Sequence, residues 1–136
     1  MRLGVSLALG VLIGLQRQMS NHPAGIRTFT LISLGCTVAT LASIYICENN
    51  LELINGDPGR IAAQVLTGIG FLGAGLIMKS DGEVKGLTTA ATIFVTAAVG
   101  VAVGVGMIWG GVAAAVLTFA ILASSSFLDK KHEDKK

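Results

Sequence analysis

The most informative segment of the chain reads Asp57-Pro-Gly-Arg-Ile-Ala-Ala-Gln-Val-Leu-Thr-Gly-Ile-Gly-Phe-Leu-Gly-Ala-Gly75. After Arg60 no charged side chain occurs before Lys79, and about 20 apolar residues in a helix cross a hydrocarbon core of ~30 Å. Asp57 is suited to cap a helix whose first turn contains Arg60. The segment therefore predicts a membrane-spanning helix from Ile61 to Met78.

The composition of the whole chain supports a membrane protein. Of its 136 residues, 52% are hydrophobic and 13% are charged, with a formal net charge of +2, whereas soluble domains carry about 25% charged residues. So few charges cannot cover a water-exposed globule or form the basic face that binds nucleic acid. We therefore exclude a soluble enzyme and a nucleic-acid-binding protein.

Apolar runs along the chain predict an all-α fold, a polytopic transmembrane bundle of about five helices. The first run has 14 residues, which give ~21 Å of helix and are short for a bilayer. Local thinning of the bilayer or snorkelling of flanking side chains would explain this length, and we favour an N-terminus that omits residues. A cleaved signal peptide is a weaker alternative, because no small-x-small cleavage site follows Leu15. The predicted spans are Leu3–Gln16, Phe29–Cys47, Ile61–Met78, Leu87–Val103 and Met107–Leu128.

The distribution of lysine and arginine orients the bundle, because positive residues are retained in the cytoplasm. If the crossings alternate, one side holds only Arg2 and Arg60. We therefore expect the N-terminus outside and the C-terminus in the cytoplasm. Residues 1–128 then form the transmembrane domain and residues 129–136 a charged cytoplasmic tail. The cytoplasmic side holds Arg17, Arg27, Lys79, Lys85, Lys130, Lys131, Lys135 and Lys136.

The polar side chains inside the spans are hydroxyls and amides rather than ionisable groups, which disfavours a carboxylate-driven pump. Thr88, Thr92 and Thr96 recur every four residues on one face of the fourth span. We expect such hydroxyls to bond a neighbouring helix or their own backbone, with a hydrated pathway as the alternative. Gln64, one turn into the third span, is the most polar intramembrane side chain.

Glycines recur at a helical spacing that lets backbones approach closely. The cases are Gly10/Gly14, Gly100/Gly104, Gly106/Gly110 and the group at positions 68, 70, 73 and 75. For that last group we expect packing, with an unwound turn whose carbonyls coordinate a cation as the alternative. A reversal between the last two spans is expected at Gly104, Gly106, Gly110 and Gly111.

Charged residues cluster at the two ends of the predicted bundle. On the outer side, Asp57 is expected chiefly as a helix cap. Its functional alternative is a polar gate in which Asp57 attracts a cation and Arg60 pairs with an acid. On the cytoplasmic side, Arg17 and Arg27 flank the N-terminus of the second span, where they anchor the topology or, alternatively, bind an anion.

The 57–75 segment is similar to the signature of the MgtC/SapB membrane proteins. Leu12-Ile-Gly-Leu-Gln-Arg17, Pro23-Ala-Gly-Ile-Arg-Thr28 and Gly86-Leu-Thr-Thr-Ala-Ala91 match the other blocks of that family in the same order, so the resemblance covers nearly the whole chain. It implies a multi-pass protein of the bacterial inner membrane that is linked to magnesium limitation. The polar motif positions that it carries over are Arg17, Arg27, Thr28, Asp57, Arg60, Gln64, Thr88 and Thr89, and Thr92 lies one turn beyond them.

This sequence departs from the family pattern at three positions. Gln16 stands where many members have Glu, Phe29 where many have His, and Phe94 where many have Trp. The loss of a carboxylate and an imidazole argues against a proton or metal role at the cytoplasmic corner.

Two functions follow as hypotheses. The first is passive or secondary transport of a small cation in magnesium homeostasis, with Asp57 near hydrated Mg²⁺ and no cofactor. The second is a non-transporting regulator that contacts a membrane partner, which the resemblance extends to the ATP synthase. We predict no enzymatic activity. In both cases the small size of the bundle favours a homodimer in the lipid bilayer.

Overall fold

The computed structural model describes residues 1–20, 22, 24–49, 57, 59–80 and 82–133, with side chains as far as Ser124 except that of Ser80. These residues form five α-helices and one antiparallel two-stranded hairpin. The elements in chain order are α1 (Arg2–Met19), α2 (Ile26–Asn49), α3 (Gly59–Ala74), β1 (Met78–Ser80), β2 (Glu83–Lys85), α4 (Leu87–Val105) and α5 (Ile108–Glu133).

The helices confirm the predicted all-α fold and the order of the predicted spans. Helix α1 has 18 residues and is therefore ~27 Å long. This length nearly matches the hydrocarbon core of a bilayer, whereas the predicted span was too short for it. Helix α5 continues past Leu128 to Glu133, so it includes the start of the predicted tail. The domain boundary at residue 128 and the orientation in the membrane stay predictions.

Helix α3 is shorter than predicted, because the chain leaves the helix after Ala74 rather than after Met78. Residues 75 and 76 form a turn, and Met78 begins strand β1, in which Lys79 pairs with Val84 of β2. Gly82, between the strands, has a φ of 83°, the left-handed conformation that a tight hairpin requires. From residue 59 to residue 74 the helix is continuous, so the unwound turn is not observed.

The reversal between α4 and α5 depends on Gly106. This residue follows the end of α4 with a φ of 100°, and its N–H donates to the carbonyl of Val103 at 3.1 Å. The other three glycines predicted for the reversal do not form it, because one left-handed residue is enough to end the helix. Gly104 packs inside α4, and Gly110 and Gly111 lie inside α5.

Two glycines of α1 bring that helix into direct backbone contact with α2. A Cβ atom built at Gly10 would lie 2.7 Å from the Cα of Thr30, and one built at Gly14 would lie 2.6 Å from the Cα of Ile26. Real carbon atoms do not approach so closely, so only glycine fits at either position. The contacts also show that α1 and α2 run antiparallel.

Two glycines of α4 make the corresponding contact on α2. A Cβ atom at Gly100 would lie 2.9 Å from the Cβ of Cys36, and one at Gly104 would lie 2.6 Å from the Cβ of Thr40. Because both contacts advance in the same direction along the two chains, α2 and α4 run parallel. The predicted close approach at both glycine pairs is confirmed.

Many large apolar side chains point away from this core, as expected for a surface that faces lipid rather than water. Helices α2 and α4 are long and apolar enough to cross a membrane, and α5 contains a shorter apolar stretch, Ile108–Ser124. These features support a membrane-embedded bundle. Among the most exposed apolar residues are Leu31 (68%), Phe71 (81%), Trp109 (85%), Leu117 (63%) and Ile121 (67%).

We expect Gly100→Ala to destabilise the fold by about 1–3 kcal/mol, because the methyl group would collide with the Ser33 carbonyl and with Cys36. The control is Gly35→Ala on α2, where a Cβ atom has nothing within 4 Å, and which should be neutral or stabilising by up to ~1 kcal/mol. Unfolding of the purified variants in detergent, followed by circular dichroism, measures both values. Equal stability of the two variants would contradict the tight α2–α4 contact.

Candidate functional site

Polar residues collect at the two ends of the α1–α2–α4 core, which we call the Arg2 end and the Arg17 end. The Arg2 end comprises Arg2, the last turns of α2 and α4, and the start of α3 near Asp57. The Arg17 end comprises Arg17, the first turns of α2 and α4, and the β1–β2 hairpin. In the predicted orientation the Arg2 end lies outside and the Arg17 end lies in the cytoplasm.

A cavity of about 210 Å³ at the Arg2 end brings together three of the predicted site residues. Asp57, Arg60 and Gln64 line it from the start of α3, and Ser43 and Cys47 line it from α2. A carboxylate, a guanidinium group and an amide therefore share one small space between two helices, whose lining also includes Ile46 and Ile61.

Asp57 caps α3, as its position in the sequence predicted. Its Oδ1 atom accepts a hydrogen bond of 2.8 Å from the backbone N–H of Gly59, and the side chain is exposed. No cluster of three or more His, Cys, Asp or Glu side chains suited to a metal occurs in the described part of the chain. A cation at Asp57 would therefore keep most of its hydration shell.

A larger groove of about 700 Å³ opens beside Arg2, between α1 and α2. The Nη1 atom of Arg2 donates a hydrogen bond of 2.9 Å to the carbonyl oxygen of Gly104. Tyr45 and Glu48 also line the groove, whose other walls are apolar side chains. The partner of Arg2 is 102 positions away, so no local sequence pattern indicates this contact.

Three fully buried hydroxyl side chains, Ser6, Ser33 and Thr37, join α1, α2 and α4 in the core. The Oγ1 of Thr37 lies 2.7 Å from the Oγ of Ser6 and 2.8 Å from the carbonyl oxygen of Gly100. Ser33 donates to the carbonyl oxygen of Ser6 at 3.0 Å. These groups satisfy one another, which supports the packing interpretation of the buried hydroxyls over a hydrated pathway. Ser6 was not singled out from the sequence.

The threonines of α4 bond their own helix, as expected. Thr92 donates to the carbonyl oxygen of Thr88, and Thr96 donates to that of Thr92, each at 2.7 Å. Thr92 and Thr96 are buried, whereas Thr88 is exposed. The predicted threonine face of α4 is therefore buried at Thr92 and Thr96 and exposed at the first turn of the helix.

Arg17 crosses from α1 to α4 at the Arg17 end. Its side chain is only 2% exposed, and its Nη2 atom donates a hydrogen bond to the Oγ1 atom of Thr89, which is also buried. The Nε atom of Arg17 is buried without a hydrogen-bond partner. The structure thus joins two motif positions, Arg17 and Thr89, that are far apart in the sequence.

The expected pair of arginines beside α2 is not formed. Arg17 turns to α4, and Arg27 and Thr28 are exposed. At the first turn of α2 the backbone N–H of Ile26 donates instead to the Oε1 atom of Gln18 at 3.4 Å. The amide oxygen of Gln18 thus accepts one of the free N–H groups at the start of that helix.

His22 lies in the connection between α1 and α2 at the same end. The pKa of His22 is lowered from its ordinary value, first by partial loss of hydration and second by the positive charge of Arg17. The positive charge of Arg17 therefore acts on a side chain at the surface of this end.

Comparison with known proteins gives a consistent result. Residues 3–131 match the sequence profile described as "MgtC family". The chain is 46% identical over 112 residues to "Putative magnesium transporter YhiD" of Escherichia coli (strain K12), covering 81% of this chain and 52% of that protein. It is 44% identical over 117 residues to "Protein MgtC" of Brucella abortus (strain 2308), covering 85% and 46%.

A third relative is "Protein MgtC" of Salmonella typhimurium (strain 14028s / SGSC 2262), which is 42% identical over 112 residues, with 82% of this chain and 46% of that protein covered. The chain thus spans about half the length of the curated relatives it matches. These names indicate no enzymatic activity. No solved structure matches the chain.

We expect Thr37→Val to destabilise the fold by about 1–2 kcal/mol, because Ser6 and the Gly100 carbonyl would lose a buried partner. The control is Thr118→Val, since the hydroxyl of Thr118 bonds the Ala114 carbonyl of its own helix and its loss should cost little. Detergent unfolding midpoints provide the comparison. If Thr37→Val costs no more than the control, the hydroxyl contacts do not hold the three helices together.

Proposed function

This chain belongs to the MgtC family, and from that membership we propose that it is a multi-pass protein of the bacterial inner membrane that serves magnesium homeostasis by passing a small cation. In this proposal all five helices cross the bilayer, with the Arg2 end outside. The name of the Escherichia coli relative is consistent with cation transport.

The observation that carries the proposal is the cavity at Asp57, Arg60 and Gln64. A carboxylate on the outer side attracts a hydrated divalent cation, and the amide of Gln64 offers a neutral oxygen about two turns further along the chain. Arg60 sets the local charge balance, because a guanidinium group beside the carboxylate limits how tightly a cation is held. Weak binding favours entry followed by release.

The route beyond this cavity follows α3 rather than the α1–α2–α4 core, whose hydroxyls and glycines are used in packing. Helix α3 leaves one face exposed, which we call the α3 outer face: Ala63, Gln64, Thr67, Gly68, Gly70, Phe71 and Ala74. Cβ atoms at Gly68 and Gly70 would have nothing within 4 Å. We propose that a second copy of the chain covers this face and completes the pathway, which makes the protein a homodimer.

Asp57→Asn is expected to lower Mg²⁺ flux at least about fivefold, because it removes the charge that attracts the cation. An asparagine still accepts the N–H of Gly59, so the cap of α3 is retained. Flux into proteoliposomes is read with an entrapped Mg²⁺-sensitive dye. Glu83→Gln is the control, because it removes an exposed carboxylate of the hairpin and should leave the flux unchanged.

The outcomes of this experiment separate the two functions. Flux in the unaltered protein that Asp57→Asn does not reduce would exclude the cation entry site. No flux above empty vesicles, from folded protein, would exclude transport by this chain.

A second candidate function is a regulator that acts through helix contact with a membrane partner. The observation that favours it is the same α3 outer face, since small residues and Phe71, which is 81% exposed, are suited to packing against another helix. The faces of Gly10 and Gly100 are not free for such a contact, because both glycines contact α2 of the same chain.

Gly68→Leu is expected to weaken self-association in detergent at least about tenfold, because the added side chain blocks close approach of a second α3. The fold should be kept, since nothing surrounds this position within the chain. Analytical ultracentrifugation measures the association, and Gly35→Leu on the exposed side of α2 is the matched control. A dimer that persists in Gly68→Leu but not in Gly35→Leu would move the interface to α2.

A further inference from the structure

Helix α1 places an arginine at each end of α4, and the two contacts differ in electrostatic sign. Arg2 and Arg17 are 15 residues apart, and so are their partners Gly104 and Thr89 on the antiparallel helix α4. Arg2 bonds a carbonyl at the C-terminus of α4, where the helix dipole is negative. Arg17 meets the N-terminus of α4, where the dipole is positive. The first contact is complementary, and the second is repulsive.

No described group of the protein compensates this repulsion. The Arg17 side chain is 98% buried (2% exposed), and the hydroxyl of Thr89, its hydrogen-bond partner, is neutral. The ion pair that the described side chains form, Lys85–Glu83, lies on exposed residues of the hairpin. A buried guanidinium group next to a positive dipole end is costly, and a negative charge beside it would stabilise it.

The local geometry contains unused donors for such a charge. The Nε atom of Arg17 is buried and has no hydrogen-bond partner. The N-terminus of α4 has no side-chain cap, because its capping position is Gly86 with a φ of 91°. The first intrahelical bond there runs from the N–H of Ala90 to the carbonyl of Gly86, so the N–H groups before Ala90 have no partner within the helix.

From this geometry we propose that Arg17 and the first turn of α4 bind a phosphate-type oxyanion. A phosphate presents several acceptor oxygens, so it bonds a guanidinium group and helix N–H groups together. The anion comes from a phospholipid headgroup at the membrane surface or from soluble phosphate. Its role is to neutralise Arg17 and to hold α1 against α4 at the Arg17 end. The proposal does not depend on cation transport.

The test measures phosphate binding by the purified full chain in a neutral detergent. Native mass spectrometry quantifies bound phosphatidylglycerol, with phosphatidylethanolamine for comparison. Thermal unfolding with and without inorganic phosphate, against chloride at equal ionic strength, tests the soluble source. We expect the unaltered protein to retain phosphatidylglycerol or to be stabilised by phosphate. Arg17→Gln should weaken the affinity about tenfold or more, and Arg17→Lys should weaken it less.

The control is Arg27→Gln, which removes an exposed arginine at the same end and should leave the affinity within about twofold. A response to lipid alone identifies the headgroup as the source, and a response to inorganic phosphate identifies a soluble anion. No response to either probe in the unaltered protein overturns the proposal and points instead to a carboxylate on a protein partner. An equal loss in Arg17→Gln and Arg27→Gln also overturns it, because binding is then only general surface attraction. If Arg17→Gln does not fold, the comparison of Arg17→Lys with Arg27→Gln decides the question.

Discussion

The close approach of α1 and α4 to α2 is the constraint on which the rest of the structure depends. It exists because glycines on α1 and α4 meet the backbone or first side-chain atoms of α2 at distances that no other residue allows. At that separation the buried hydroxyls Ser6 and Thr37 reach from one helix to the next. In a bilayer the hydrophobic effect contributes little to helix association. Close packing and interhelical hydrogen bonds of this kind hold the helices together instead.

The same constraint decides where functional groups can lie. At the four glycine contacts with α2 the helices of this core leave no side-chain-sized gap, and the core hydroxyls already bond one another or backbone carbonyls. Among the described side chains, the charged groups lie at the two ends of the core. This explains why Asp57, Arg60 and Gln64 share a cavity at one end, whereas Arg17 meets Thr89 at the other.

The sequence predicted what depends on local patterns, and it missed what depends on distant contacts. Apolar runs located all five helices, and the spacing of Gly10 and Gly14 identified a real contact face, since both features repeat within a few residues. The hairpin after α3 was missed because apolar residues continue to Met78, although Asp81-Gly82 is a turn signal that could have revealed it. The Arg17–Thr89 bond joins residues 72 positions apart, so no local pattern connected them, and the resemblance named them only as positions of two separate blocks.

Two places violate the local rules that the rest of the bundle obeys, and physical reasoning assigns function to such places first. One is the α3 outer face, where glycines pack against nothing in the chain although they weaken the helix by about 1 kcal/mol each. The other is Arg17, a buried cation set against the positive end of a helix. Neither feature stabilises the isolated chain. In our two proposals both features become favourable when something else is present, a second helix at α3 and an anion at Arg17.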